Sequence, residues 1–111
     1  MNTLSRSLLA GVMPFFVISL AMNSAQAADP EVGRQKAQLC AACHGPIGLA
    51  AMPNTPSLAG QPAQYLLEQL KAYRSGKRVH EQMSLLAKPL SDDDIANVSA
   101  WYASLQIQIK N

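Results

Sequence analysis

Two cysteines three positions apart, followed at once by a histidine, constrain this chain more than any other feature: Cys40-Ala41-Ala42-Cys43-His44. On a helix, residues three apart lie on one face about one turn from each other. Two thiols so placed can add to the two vinyl groups along one edge of a porphyrin, and the next residue is carried beneath the iron. C-x-x-C-H is the spacing of c-type haem attachment. Read so, Cys40 and Cys43 form thioethers to the haem, and His44 supplies an axial imidazole nitrogen.

Rival readings of the same residues are weaker. A thioredoxin-like dithiol sits in a βαβ context, and no convincing strand pattern is present. A zinc site wants four ligands, whereas the chain offers two Cys and two His, and adjacent Cys43 and His44 are poorly placed to share one ion. A Cys40–Cys43 disulfide closes so small a loop that it stabilises little.

Residues 1–27 read as a secretory signal peptide. Arg6 marks a basic start, Leu8 to Met22 is apolar, and Ala25-Gln26-Ala27 is an A-x-A cleavage site. An uncleaved anchor is the alternative, but the apolar run is short for a span of about 20 residues and Pro14 interrupts it. Export agrees with the haem reading, because c-type haem is attached on the outer side of the bacterial inner membrane. The expected location is the periplasm, with no stable membrane insertion after cleavage. Residues 28–111 then form a single domain of 84 residues. Without Arg6 the basic residues fall from nine to eight against seven acidic ones, a balance that gives no footing for nucleic acid.

Along this mature chain, Asp29-Pro30-Glu31 opens a first helix, with Asp29 as N-cap and Pro30 at the first helical position. It is expected to run to about Cys43. Residues 45–61 are rich in Gly and Pro and read as one long loop, a length that makes sense if it wraps a cofactor. A second helix runs from Pro62 to about Ser75 on the Leu66, Leu70, Tyr73 stripe, with Gly76 as C-cap. Ser91 and Asp94 form a capping box for the last helix, whose apolar stripe is Ile95, Val98, Trp101, Tyr102 and Leu105. The acids Asp92, Asp93 and Asp94 read as capping residues in preference to a metal site. Gln106 to Asn111 reads as a fraying tail.

Helix with C-x-x-C-H, Pro-rich loop, helix, Met-bearing loop and C-terminal helix together resemble a class I c-type cytochrome. Cys40-Ala-Ala-Cys-His-Gly45, Pro56-Ser-Leu-Ala-Gly60-Gln61 and Leu90-Ser-Asp-Asp-Asp-Ile95 resemble the single-haem bacterial cytochrome c5/c553 type and one half-domain of cytochromes c4. The resemblance implies an all-α cytochrome c fold, with three main helices and a Pro/Gly-rich loop wrapped around one covalent haem c. It also implies a Met thioether as sixth ligand. Met52 lies eight residues after His44 and Met83 lies 39 after it; Met83 matches the family pattern, and Met52 reads as a loop residue. His80, three residues before Met83, is the other candidate. Pro56 matches the residue whose carbonyl accepts the proximal His Nδ1–H, Leu58 matches a side chain packed on the porphyrin, and Gly33 and Trp101 match a crossing of the first and last helices.

The implied function is a one-electron carrier in the periplasm, with no catalytic residues and with membrane or soluble redox proteins as partners. The alternatives are a cytochrome subunit of a dehydrogenase or oxidase complex, and a haem sensor or enzyme with a labile sixth ligand. The chain is expected as a monomer or weak dimer. Arg74, Lys77 and Arg78 are candidates for haem propionates, for a docking patch, or for a solvated helix end. A domain this small buries a modest core, so the chain without haem is expected to be largely unfolded. Native helix content in the circular dichroism of the apoprotein would contradict that.

Overall fold

The computed structural model describes residues 26–110 together with Gly11 and Met13. Nearly all of the expected signal peptide lies outside the described residues. Five helices follow one another: α1 (Pro30–Lys36), α2 (Gln38–His44), α3 (Ala63–Ser75), α4 (Glu81–Ala87) and α5 (Asp92–Ser104). No strand occurs among the described residues, in keeping with an all-α fold.

The first helix is not continuous to Cys43. The Ala37 N–H still reaches the Gly33 carbonyl at 2.8 Å, but the Cys40 N–H bonds the Ala37 carbonyl only three residues back. That i→i+3 bond tightens the turn and divides the segment into α1 and α2. The start is as expected: the Asp29 carboxylate accepts from the Glu31 and Val32 amides, with Pro30 in the first turn.

A second difference concerns the segment carrying Met83. Residues 81–87 form a helix where the sequence reading has a loop. Its residues, EQMSLLA, are mostly good helix formers, and Pro89 lies two residues past its end. The other elements match the reading. Gly76 caps α3 in the left-handed region at φ 81°, where a side chain would be strained. Ser91 and Asp94 complete a reciprocal capping box.

The main packing contact is the crossing of α1 and α5. A Cβ on Gly33 would overlap the Asn97 carbonyl and press on Trp101 Cβ, so the helices meet backbone to backbone. Two polar ties flank the crossing: the Asp29 amide donates to Asn97 Oδ1 at 2.8 Å, and Lys36 pairs with Asp94 at 3.0 Å. The core is Ala37, Leu66, Val98 and Tyr102, with Cys40, Leu58, Leu70, Trp101 and Leu105 packed around it. Ile95 and Ala87 are fully buried nearby. Each fully buried Val, Leu or Ile contributes about 1.5–3 kcal/mol, and the alanines contribute less, so the protein-only core is modest.

Gly33→Ala is expected to destabilise the holoprotein by about 3 kcal/mol, because backbone on α5 must move to admit the methyl group. Denaturant unfolding followed by circular dichroism measures it. A loss under about 0.5 kcal/mol, the range of an ordinary surface substitution, would show that the helices separate easily.

Candidate functional site

Helix α2 places the C-x-x-C-H residues on two consecutive turns. Cys40 and Cys43 are half-buried and not bonded to each other. Cys40 packs against the core cluster that contains Tyr102. Burial pushes the Cys40 thiol up, with the nearby Tyr102 hydroxyl acting against it and Cys43 adding to it. The Tyr102 phenol is pushed up in turn, first by its own burial and then by Cys40.

His44 is 7% exposed. Its Nδ1 lies 2.7 Å from the Pro56 carbonyl oxygen. A carbonyl only accepts, so Nδ1 carries the proton, and Nε2 keeps a lone pair for a metal.

Residues 45–61 hold Pro56 in that position through backbone bonds. The Gly48 carbonyl accepts from the Leu58 and Ala59 amides at 2.7 and 3.0 Å. The Ala51 amide bonds the Cys43 carbonyl at 3.1 Å, and the Ala50 amide bonds Ser57 Oγ at 3.0 Å. The Gly60 amide reaches the Tyr102 carbonyl on α5 at 2.8 Å. A loop that pairs its own polar groups this way is a compact Ω-type structure. Gly48 is required at its apex: its φ is 74°, and a Cβ would press on the Ala59 amide and the Tyr102 ring.

Met83 sits on α4 and is partly buried, whereas Met52 is exposed on the loop. The far end of the α4 segment is strapped by Arg74, whose guanidinium donates to the Leu90 carbonyl at 2.9 Å and pairs with Asp92. Arg78 donates to Gln69 Oε1 and lies 4.7 Å over the Tyr73 ring. Of the three basic residues singled out from the sequence, two are thus tied to their own fold. Lys77 forms no ion pair among the described residues.

These residues fit a covalently held porphyrin. Two unpaired thiols share a helix face beside a buried imidazole with one nitrogen free. Large apolar side chains near Met83 are left uncovered by protein, Val79 at 82% and Leu85 at 72% exposure. A flat apolar group bound here would give such side chains a surface to pack on.

Residues 31–106 match the model of the family described as Cytochrome c, and the chain belongs to that family. It is a class I c-type cytochrome that binds haem c covalently and is similar to one half of cytochrome c4. It is 42% identical over 83 residues to cytochrome c4 of Pseudomonas aeruginosa, covering 75% of this chain and 41% of that one. It is 43% identical over 81 residues to cytochrome c-554(548) of Halomonas halodenitrificans, covering 70% of this chain and 98% of that one. A thiosulfate dehydrogenase electron acceptor of Stutzerimonas stutzeri is 42% identical over 69 residues, 60% of this chain and 32% of that protein. Among solved structures, reduced cytochrome c4 from Pseudomonas stutzeri superposes with a TM-score of 0.68 at 37% identity, covering 72% of this chain and 47% of that one. The chain thus spans about two fifths of the length of the curated cytochrome c4 relatives.

Two features escaped the sequence reading. Tyr102 reads as a core residue, and nothing in its spacing shows that Cys40 packs on its cluster. Ser99 is buried with no hydrogen-bond partner for its Oγ in the structure; the apolar stripe skips it because it is polar.

The start of α5 makes the fold sensitive to acid. The Asp94 carboxyl is held below its ordinary 3.8, first by the Ser91 amide and further by Lys36, with burial opposing. Asp92 is held below it chiefly by Arg74. A lowered folded value means stabilisation that is complete above the unfolded value and lost as pH falls through the folded one. Asp94→Ala is expected to cost about 1 kcal/mol at pH 7. Its deficit against wild type should narrow from pH 7 to about pH 2, as the Asp94 carboxyl takes up its proton. Denaturant melts of the holoprotein at the two pH values check it, and an undiminished gap in acid would assign the loss to packing.

Proposed function

We propose that the chain is a periplasmic single-haem electron carrier, its leader (residues 1–27) removed and residues 28–111 forming one domain. The observation that supports it most is the Nδ1–H that the buried His44 imidazole donates to the Pro56 carbonyl. In this reading Cys40 and Cys43 would hold the haem as thioethers, and His44 and Met83 would supply the iron's protein ligands. Bound haem supplies a one-electron Fe(III)/Fe(II) couple, and a thioether ligand raises its potential relative to two imidazoles.

The protein's part is positioning and insulation. Pro56 fixes the tautomer and plane of His44 and makes it a stronger donor. Leu58 belongs to the apolar shell beside Cys40 and is proposed to pack on the ring. With an imidazole and a thioether both committed to the iron, no coordination position would be left for a substrate, and the role would be electron transfer. A hydrogen-bonded proximal loop and a capped distal helix keep geometry nearly constant between oxidation states, which favours fast transfer.

Partners in this reading are redox proteins, met in small and short-lived interfaces. A second reading, a cytochrome subunit working with one dehydrogenase, is favoured by the similarity to a thiosulfate dehydrogenase electron acceptor. Co-purification with a stoichiometric partner separates the two. No described helix is long and apolar enough to cross a membrane.

Met83→Ala is expected to keep covalent haem, lose the weak far-red thioether-to-iron band of the ferric protein, admit cyanide or carbon monoxide readily, and lower the potential. His44→Ala should yield no stable holoprotein. Visible spectra and potentiometry of the two variants decide it, and an unchanged potential in Met83→Ala would overturn the ligand assignment.

A further inference from the structure

We propose that His80 is a positioning residue whose imidazole caps the helix bearing Met83 and so holds the thioether at the iron. The inference rests on Met83 being the distal ligand.

Helix α4 is seven residues long, well below the about 12–15 residues at which isolated helices become marginally stable. Its position must therefore come from its ends and its packing. Packing holds it at Ala87, which is fully buried near its C-terminus. Along the rest, Leu85 is largely exposed and so is Val79 just before it. In the first turn Glu81 and Gln82 are exposed and Met83 and Ser84 only partly buried, so that turn leans chiefly on its cap.

That cap is built on one residue. His80 is extended, at φ −152° and ψ 137°, as an N-cap should be. Its Nδ1 accepts the backbone N–H of Met83 itself, at 3.3 Å. Its own N–H donates to Ser84 Oγ at 3.0 Å, and its carbonyl accepts the Ser84 amide at 2.9 Å. The side-chain bonds run in both directions, as in a capping box, with Ser84 in the role of the returning acceptor. One of the three bonds ends on the amide of the ligand residue, so the ring acts directly on where the Met83 backbone sits. To accept, Nδ1 must present its lone pair to the helix, which also turns that nitrogen away from any role as an iron ligand.

Loss of the cap should not remove Met83 but should raise the fraction of time it is off the iron. A competing ligand reads that fraction, because its apparent affinity scales with the population of the open state. The experiment is an imidazole titration of the ferric holoprotein for wild type, His80→Ala, His80→Asn and Met83→Ala, followed at the far-red band and the Soret maximum.

His80→Ala is expected to retain the band without imidazole and to bind imidazole about 3- to 10-fold more tightly than wild type, the range a lost N-cap supplies. Asparagine is a good N-cap, so His80→Asn should return to within about 2-fold of wild type. Ser84→Ala, which removes the reciprocal bond, should shift binding in the same direction as His80→Ala. A His80→Ala titration that overlays wild type, while Met83→Ala opens the iron, overturns the capping role and leaves the ligand assignment standing. Tighter binding in both His80→Ala and His80→Asn also overturns it, since a cap would be rescued. A wild-type band that is absent, or that survives Met83→Ala, instead defeats the reading of Met83 on which the proposal rests.

Discussion

The close approach of α1 and α5 at Gly33 is the contact on which the rest of the structure depends. Only a residue without a Cβ lets the Asn97 carbonyl and Trp101 come so near. Once the two helices are locked, each positions one part of the site. Helix α1 leads through the tightened turn at Ala37 into α2 and its cysteines. Helix α5 carries Tyr102, whose cluster receives Cys40, whose ring lies against Gly48 and whose carbonyl accepts the Gly60 amide. A shift of α5 would reach the thiols and the proximal loop together.

The two faces of the site are held by different means. Around His44 the restraint is a dense set of backbone hydrogen bonds over residues 45–61, anchored at Cys43 on one side and α5 on the other. Around Met83 it is a one-turn cap, a buried alanine and the Arg74 strap to Leu90. A backbone network loses several bonds before it moves, whereas a capped short helix depends on one or two. The His44 side is therefore the more strongly restrained, and the side bearing Met83 is where small changes in sequence would move the Met83 side chain without unfolding the chain.

Much of this was legible because local chemistry and tertiary role coincide. The C-x-x-C-H spacing, the Ser91–Asp94 box, Gly76 at a helix end and Pro30 at a helix start each have one cheap structural solution. The α1–α2 break was not legible, because Ala37 is a good helix former and the turn there is set by packing against Leu66, Val98 and Tyr102. Helix α4 was hidden differently. Its composition suits a helix, but at seven residues it shows no periodic stripe, and its cap is a histidine, which is not among the usual capping residues. The meeting of Tyr102 with Cys40 joins positions 62 residues apart, and no local pattern reports such a contact.

The start of α5 shows how one charged cluster can serve several elements at once. Three successive aspartates would suit a cation, yet each of the two with a lowered carboxyl already has its partners. Asp94 meets the Ser91 amide and Lys36 from α1, and Asp92 meets Arg74 from α3. The helix dipole favours the same negative charges. The basic residues that reach them are in turn less available to an outside acidic surface. Each exposed pair is weak by itself, but these two converge on the first turn of α5 from two different helices. They add to the crossing at Gly33 in holding the first turn of α5 against α1 and α3.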